Sequence, residues 1–354
     1  MSDVLLHLAT TAEWREHLTA GVIAPSVAEF VHLSTPDQVA LPANRLFAGR
    51  TDLNLLVLDP GRIGVEVRFE PGLPTDPASM RFPHAYGAIP VHAVLAVVPY
   101  RPAPGDGFGT PVLPRTDAAG RLSAFEPSLL RRVATAEVPV TGGVAVRTDP
   151  VPASHRHNRL LIDGATDAAT VLADAERTGL ARVTLSGAGH AATATALADA
   201  GRRVTALVGM AGPAGGVRGR TEVVDVEALR PTWDAEWRRY GVDDAVVAQL
   251  TDRLLLEERV VDLRPLALRV DGEVVASAVL RIDGATADLD GLEVVPAHRG
   301  RGHGDALLAD ARAIAAGAGC DLVTLSAAAD DHPRSWYARR GLAEVHRSWE
   351  IDPS

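Results

Sequence analysis

The 354-residue chain has one cysteine, Cys320, so no internal disulfide can brace it. Its place in the apolar stretch 319–325 marks it as a small core residue rather than a nucleophile. Aromatic residues make up only 4% of the chain, so its cores must be packed from Ala, Val and Leu. No dense basic run occurs and the formal net charge is -10. Neutralising phosphates needs clustered positive charge, so nucleic acid is excluded as a main partner. No apolar run approaches the ~18 residues of a membrane span and no basic leader opens the chain. The expectation is therefore a cytoplasmic protein with no membrane partner. What is present is globular: 47% hydrophobic and 23% charged residues, over a length that suits two or three domains.

Proline and glycine punctuate the chain twice, at 100–107 (followed by Pro111 and Pro114) and at 211–216. Three segments result: 1–114, 115–222 and 223–354. The third is the most regular. Helical spacing marks 232–240 and 243–260, the latter with Val246, Val247, Leu250, Leu254 and Leu255 on one stripe. Extended runs at 266–270, 274–282 and 286–295 are joined by Asp271-Gly272 and Asp283-Gly284, a hairpin signal whose turn needs positive φ at both central residues. A helix over 303–318 buries Leu307, Leu308, Ala311, Ile314 and Ala315. Strand 321–326, helix 334–340 and strand 342–351 complete the order.

Between the third strand and its helix lies Pro296-Ala297-His298-Arg299-Gly300-Arg301-Gly302-His303-Gly304. A glycine-rich turn feeding a helix start exposes N–H groups with no intrahelical partner beside the positive end of the helix dipole. Glycines admit a pyrophosphate closely, and Arg299 and Arg301 add charge-assisted donors. Taken alone, the string also fits a flexible basic turn. Hairpin-linked strands upstream disfavour a dinucleotide-binding βαβ unit, and the missing Gly-Lys-Ser/Thr excludes a nucleoside-triphosphate loop.

Residues 292–304 resemble the acetyl-CoA motif of the GNAT superfamily, Arg/Gln-x-x-Gly-x-Gly/Ala, with Arg299, Gly302 and Gly304 in its positions. Residues 330–342 resemble that family's closing Tyr-x-x-x-Gly-Phe segment, with Leu342 in the Phe place. The resemblance spans about 223–351. It implies an α/β (α+β) fold with a mixed, mainly antiparallel sheet flanked by helices, and acetyl-CoA as cofactor. It implies acetyl (or other acyl) transfer to an amine of a small-molecule or peptide acceptor. Backbone groups of Leu292, Glu293 and Val294 would meet the pantetheine arm. Arg299, Gly300, Arg301, Gly302, His303 and Gly304 would hold the pyrophosphate, and Tyr337 would protonate the leaving thiolate. Glu293, Asp290 or a water relay would take the amine proton.

In the middle segment Gly187-Ala188-Gly189-His190 sits between a strand at 182–186 and a helix at 191–201. No acidic residue ends the next strand, where a ribose contact would stand, and this turn has no arginine. His155 and His157 have no identifiable partner ligands for a metal. The run His157-Asn158-Arg159-Leu160 resembles a segment of two-copy GNAT proteins. That resemblance implies a degenerate GNAT-like unit that packs against the active copy and helps build its substrate cleft.

The N-terminal segment reads as strand 4–10, helix 11–20, strand 29–36 ending in a Ser34-Thr35 helix start, helix 38–48, and strands at 53–59, 64–70 and 91–98. His7, His32 and His84 are either strand-packed histidines or a polar cluster. Residues 7–10, 31–35 and 82–87 resemble the bacterial domain of unknown function 952 family, over about 1–111. The resemblance implies an ADP-ribosyltransferase-like α+β domain in which His7 and His32 would contact the nicotinamide ribose or diphosphate of NAD. NAD binding or ADP-ribosyl transfer is thus the rival function, with a non-catalytic acyl-CoA sensor as the other. Neither acceptor nor oligomeric state follows from the sequence.

Overall fold

The computed structural model describes residues 4–25, 29–72, 77, 79–103 and 105–353. Pro104 of the first punctuated stretch and the chain ends at 1–3 and 354 lie outside the described residues. The N-terminal unit runs β1 (Leu5–Thr10), α1 (Thr11–Ala20), β2 (Val22–Ile23), β3 (Val31–His32), α2 (Ala40–Leu46), β4 (Leu53–Leu58), β5 (Val67–Pro71), β6 (Arg81–Ala85), β7 (Ile89–Pro90) and β8 (Val94–Pro99). Helix α1 begins in a capping box between Thr10 and Glu13 and ends on Gly21 at φ +75°. Strand β4 is buried throughout because it is the centre of the β1-β4-β8 sheet. A second small sheet has the order β3-β6-β5. The strand expected over 29–36 contracts to Val31 and His32, with Ser34 making one bridge to Leu6. The helix expected over 38–48 shortens to α2, because Gln38 first closes a turn onto Thr35.

The middle run is α3 (Ala118–Val133), β9 (Ala136–Val140), β10 (Gly143–Arg147), β11 (Arg159–Ile162), α4 (Ala168–Thr178), β12 (Val183–Ser186), α5 (Ala191–Asp199) and β13 (Arg203–Pro213). The last is β14 (Glu222–Val223), α6 (Val226–Arg239), α7 (Asp244–Glu257), β15 (Asp262–Val270), β16 (Glu273–Asp283), β17 (Thr286–Val294), α8 (His303–Gly317), β18 (Leu322–Ala328), α9 (His332–Ala338) and β19 (Ala343–Asp352). Both runs follow one scheme: leading helix, three antiparallel strands, helix, a strand parallel to the third, helix, final strand. The final strands are exchanged. β13 lies between β18 and β19, and β19 pairs in turn with β12, so one sheet of order β14-β15-β16-β17-β18-β13-β19-β12-β11-β10-β9 carries both runs. Helix α8 lays its expected stripe (Leu307, Leu308, Ala311, Ile314, Ala315) into the core over β16 and β17. Buried Cys320 closes that core, and burial pushes its thiol up to about 12. Among the described residues no helix is long and apolar enough to cross a membrane.

The chain contains no lysine, so every side-chain cation other than histidine is a guanidinium able to engage several acceptors at once. The three runs meet at one of these. Trp14 Nε1 of α1 donates to Asp283 Oδ1 at 2.6 Å, and Arg132 of α3 pairs with the other oxygen. The same guanidinium donates to Val260 O at 2.8 Å. The Asp271-Gly272 turn has both residues at positive φ, as expected. At the second hairpin only Gly284 does (φ +70°), so Asp283 is the last residue of β16 and its side chain is free to turn inward. A Cβ on Gly284 would stand 2.2 Å from Val94 O, where β8 docks on this turn through Ala285 N–H at 2.7 Å.

Asp283→Ala would leave Arg132 charged and unpaired in the interior. The expected outcome is a loss of roughly 3–5 kcal/mol in denaturant unfolding. An unchanged midpoint would show that the three runs do not depend on this contact.

Candidate active site

Strand β17 is bonded to β16 along its length, with a register slip between Ser277 and Val279 and with Gly291 at φ +61°. Its parallel ladder to β18 covers only Thr286, Ala287 and Asp288, which face Leu322, Val323 and Thr324. The bulge re-aims the strand, and from residue 289 to 294 its β18-facing edge has no ladder partner. Unpaired backbone N–H and C=O groups demand acceptors and donors, so this edge offers an extended ligand a strand to pair with.

The cleft ends at α8. Gly302 stands before the helix at φ +79° and no side chain caps it, leaving the first-turn N–H groups open. Gly300 is also left-handed (φ +75°), and a Cβ at either glycine would meet nothing within 4 Å. At Gly304, by contrast, a Cβ would lie 3.4 Å from Trp336 and 3.6 Å from Val294, so helix and cleft wall are in close contact there. Arg301 is exposed. Arg299 instead folds back: Nε donates to Val294 O at 2.9 Å, and its Nη2 lies 3.3 Å from Glu293. His303 is buried, 3.4 Å from an Arg220 nitrogen. Leu292 and Val294 are half-buried at the rim of the core.

Three titratable groups surround the unpaired edge. Tyr337 of α9 is buried, and burial together with the Asp290 charge pushes its phenol up to about 12. Burial and a hydrogen bond with Glu236 of α6 raise Glu293 to about 7, against the charges of Arg239 and Arg299. Asp290 goes the other way. Arg156 Nη1 lies 2.5 Å and Arg281 Nη1 3.0 Å from its Oδ2, and with Arg253 they overcome burial and hold it far below the usual carboxylate range. Of the two acids considered for proton transfer, only Glu293 therefore titrates near neutrality.

Glu236, Arg156 and Arg281 were not singled out in the sequence. Glu236 sits in a charged helix with no local signature. Arg156 lies between the two histidines that were weighed as ligands, and it is the arginine that reaches the cleft. His157 itself is fully buried, bonded to Ser154 at 2.9 Å and 3.4 Å from Glu257, a structural role. In the N-terminal unit the three histidines do come together. His7 Nδ1 lies 2.8 Å from His32 O, the His32 and His84 rings stand 5.1 Å apart, and Nδ1 of buried His84 lies 3.4 Å from Glu70 Oε2. Burial lowers His7 to about 4. A cavity of about 1070 Å³ lies elsewhere, walled by Val97, Arg101, Ser128, Leu161 and Ser186, and shares no residue with the β17 cleft.

Residues 226–342 match the Acetyltransferase (GNAT) family, and residues 8–97 match the Protein of unknown function (DUF952) family. The GNAT match thus falls on the C-terminal run and the DUF952 match on the N-terminal unit. Similar solved structures include a GCN5-related N-acetyltransferase from Kribbella flavida (18% identity, 68% of this chain and 97% of that one, TM-score 0.48). A functionally unknown conserved protein from Staphylococcus epidermidis is similar at 15% identity, 60% and 91% coverage and TM-score 0.49. A Caulobacter crescentus protein is 24% identical over 30% of this chain and 91% of its own, with TM-score 0.26. No curated protein sequence matches. The boundaries of the GNAT match enclose the β17 cleft, α8 and Tyr337.

A carboxyl raised by folding binds its proton more tightly in the native state, so the Glu293 contribution to stability falls as pH rises from 4.5 to about 7. Glu236→Gln removes the neighbouring acid and should bring Glu293 back towards its ordinary value, read by carboxyl-carbon NMR titration. A Glu293 midpoint unmoved by that change would contradict the pairing.

Proposed function

We propose that the chain is an acetyl-CoA-dependent N-acetyltransferase that moves the acetyl group to the amine of a separate acceptor molecule. One observation carries this reading: an unpaired strand edge at 289–294 leads into the uncapped, glycine-flanked N-terminus of α8. The first suits an extended amide-bearing arm, the second a pyrophosphate. Acetyl-CoA, when bound, supplies an acetyl group activated as a thioester. Backbone groups of Leu292 and Val294 would bind its arm. Gly300, Gly302, His303 and Gly304 would offer N–H groups to the phosphates, with Arg301 as the free guanidinium. Arg299 would shape the loop by holding the Val294 carbonyl.

Glu293 would accept the proton of the incoming ammonium, since a carboxyl near pH 7 can both take and release one. The neighbouring acid Glu236 helps hold the Glu293 carboxyl in that range. Tyr337 stays protonated at neutral pH and would hand its phenolic proton to the departing sulfur. Because the chain has no lysine, none of its own side chains is the amine acceptor. The middle run, 115–222, reads as a degenerate repeat of the same fold. Its scheme of elements supports this, and the Asp167 carboxylate caps α4 where a phosphate would have to sit.

Calorimetry of the full chain tests the donor. Acetyl-CoA should bind and NAD should not compete with it, while Gly302→Glu should abolish acetyl-CoA binding. Tyr337→Phe should cut thiol release with an amine panel on the order of 100-fold while leaving affinity within about two-fold. No acetyl-CoA binding, or binding indifferent to Gly302→Glu, would overturn the reading.

A further inference from the structure

The segment of β17 that the reading above assigns to the acetyl-CoA arm is held away from β18 although both strands have free hydrogen-bonding edges. Pairing them would satisfy those groups and close the slot, so something must hold β17 back. The bulge turns β17 aside, and Arg281 on its hairpin partner β16 ties Asp290 there. A further contact comes from the other repeat. The loop at 151–158 is stapled: Asn158 accepts from Thr148 N–H at 2.9 Å and donates to Val151 O and Ser154 O at 2.9 and 3.0 Å. The Ser154 hydroxyl bonds the His157 ring, and Ala153 N–H donates to Gln249 of α7 at 2.9 Å. That rigid loop presents Arg156, whose Nε lies 2.8 Å from Glu126 of α3 and whose Nη1 lies 2.5 Å from Asp290. Asp290 stands at the start of the unpaired edge, next to Gly291 and two residues before Leu292.

We infer that Arg156 is a positioning residue of the acetyl-transfer site: through its ion pair with Asp290 the middle repeat keeps the β17–β18 slot open. The inference rests on the acetyl-CoA reading. It gives the middle repeat a role that needs no ligand of its own. Arg156 touches neither donor nor acceptor, and it acts by fixing where β17 runs. The Asp290 side chain is fastened by both Arg156 and Arg281. Arg281 is itself tied to buried Glu257, which faces His157. The network therefore crosses from repeat to repeat at two carboxylates, Asp290 and Glu257.

The test is a double-mutant cycle on the full chain, with the dissociation constant for acetyl-CoA measured calorimetrically and melting followed in parallel. Arg156→Gln and Asp290→Asn should each weaken acetyl-CoA on the order of ten-fold, because displacing the slot by a fraction of an ångström misplaces every contact along it. The double variant should be no weaker than either single one. Arg156→Lys should recover part of the loss, and Glu126→Gln, which meets the same guanidinium away from β17, should stay within about two-fold of wild type. A merely structural role would lower melting while the two affinity losses added. Additive losses, or Arg156→Gln binding like wild type, would overturn the inference while leaving the acetyl-CoA reading intact. Failure of the wild type to bind would overturn both.

Discussion

β13 and β19 lie side by side in the middle of one sheet, each finishing the repeat that the other belongs to. Neither repeat can complete its sheet alone, because the strand each needs beyond β12 or β18 is supplied by the other. The exchange removes two open sheet edges at once, each a template for unwanted pairing. It also dictates the site. Once the sheet is continuous, the loop before β11 and helix α3 are brought against the back of β17, and Arg156 and Glu126 arrive where the C-terminal run alone would have solvent.

Arginine carries the consequence. With no lysine in the chain, the buried cations are forks that bind carboxylates on two sides. Arg132 links two runs at Asp283 and leaves α1 to complete the set through Trp14. Arg281 and Arg156 meet on Asp290. The same low-dielectric surroundings push neighbouring acids in opposite directions. Asp290, caged by guanidiniums, stays ionised, while Asp288, two residues earlier and farther from them, is raised by burial to about 6. Glu293, facing another acid, is raised too. One strand thus carries a fixed charge and a titratable proton site three residues apart, on either side of the bulge at Gly291.

Local patterns were legible where the structure obeys local rules. The α8 stripe is buried residue for residue, the Asp271-Gly272 turn has the expected left-handed pair, and the glycine loop stands at a helix start. Helix α3 was not visible, because Gly120 and Pro127 break its periodicity while the Asp117 cap and buried Phe125, Leu129 and Leu130 hold it. The exchanged strands could not be read from composition, since β13 and β19 would look the same paired at home or away. Glu236 and Arg156 were missed for a related reason: each gains its meaning from a residue far along the chain, Glu293 and Asp290.

The account stands on acetyl-CoA lying along the free edge of β17 and against the start of α8. Amide hydrogen exchange of the full chain, with and without saturating acetyl-CoA, reads this directly. Protection should rise in peptides covering 289–306 and stay unchanged in the 1–100 region. Protection confined to the N-terminal unit or to the cavity beside α3, with 289–306 unaltered, would contradict it.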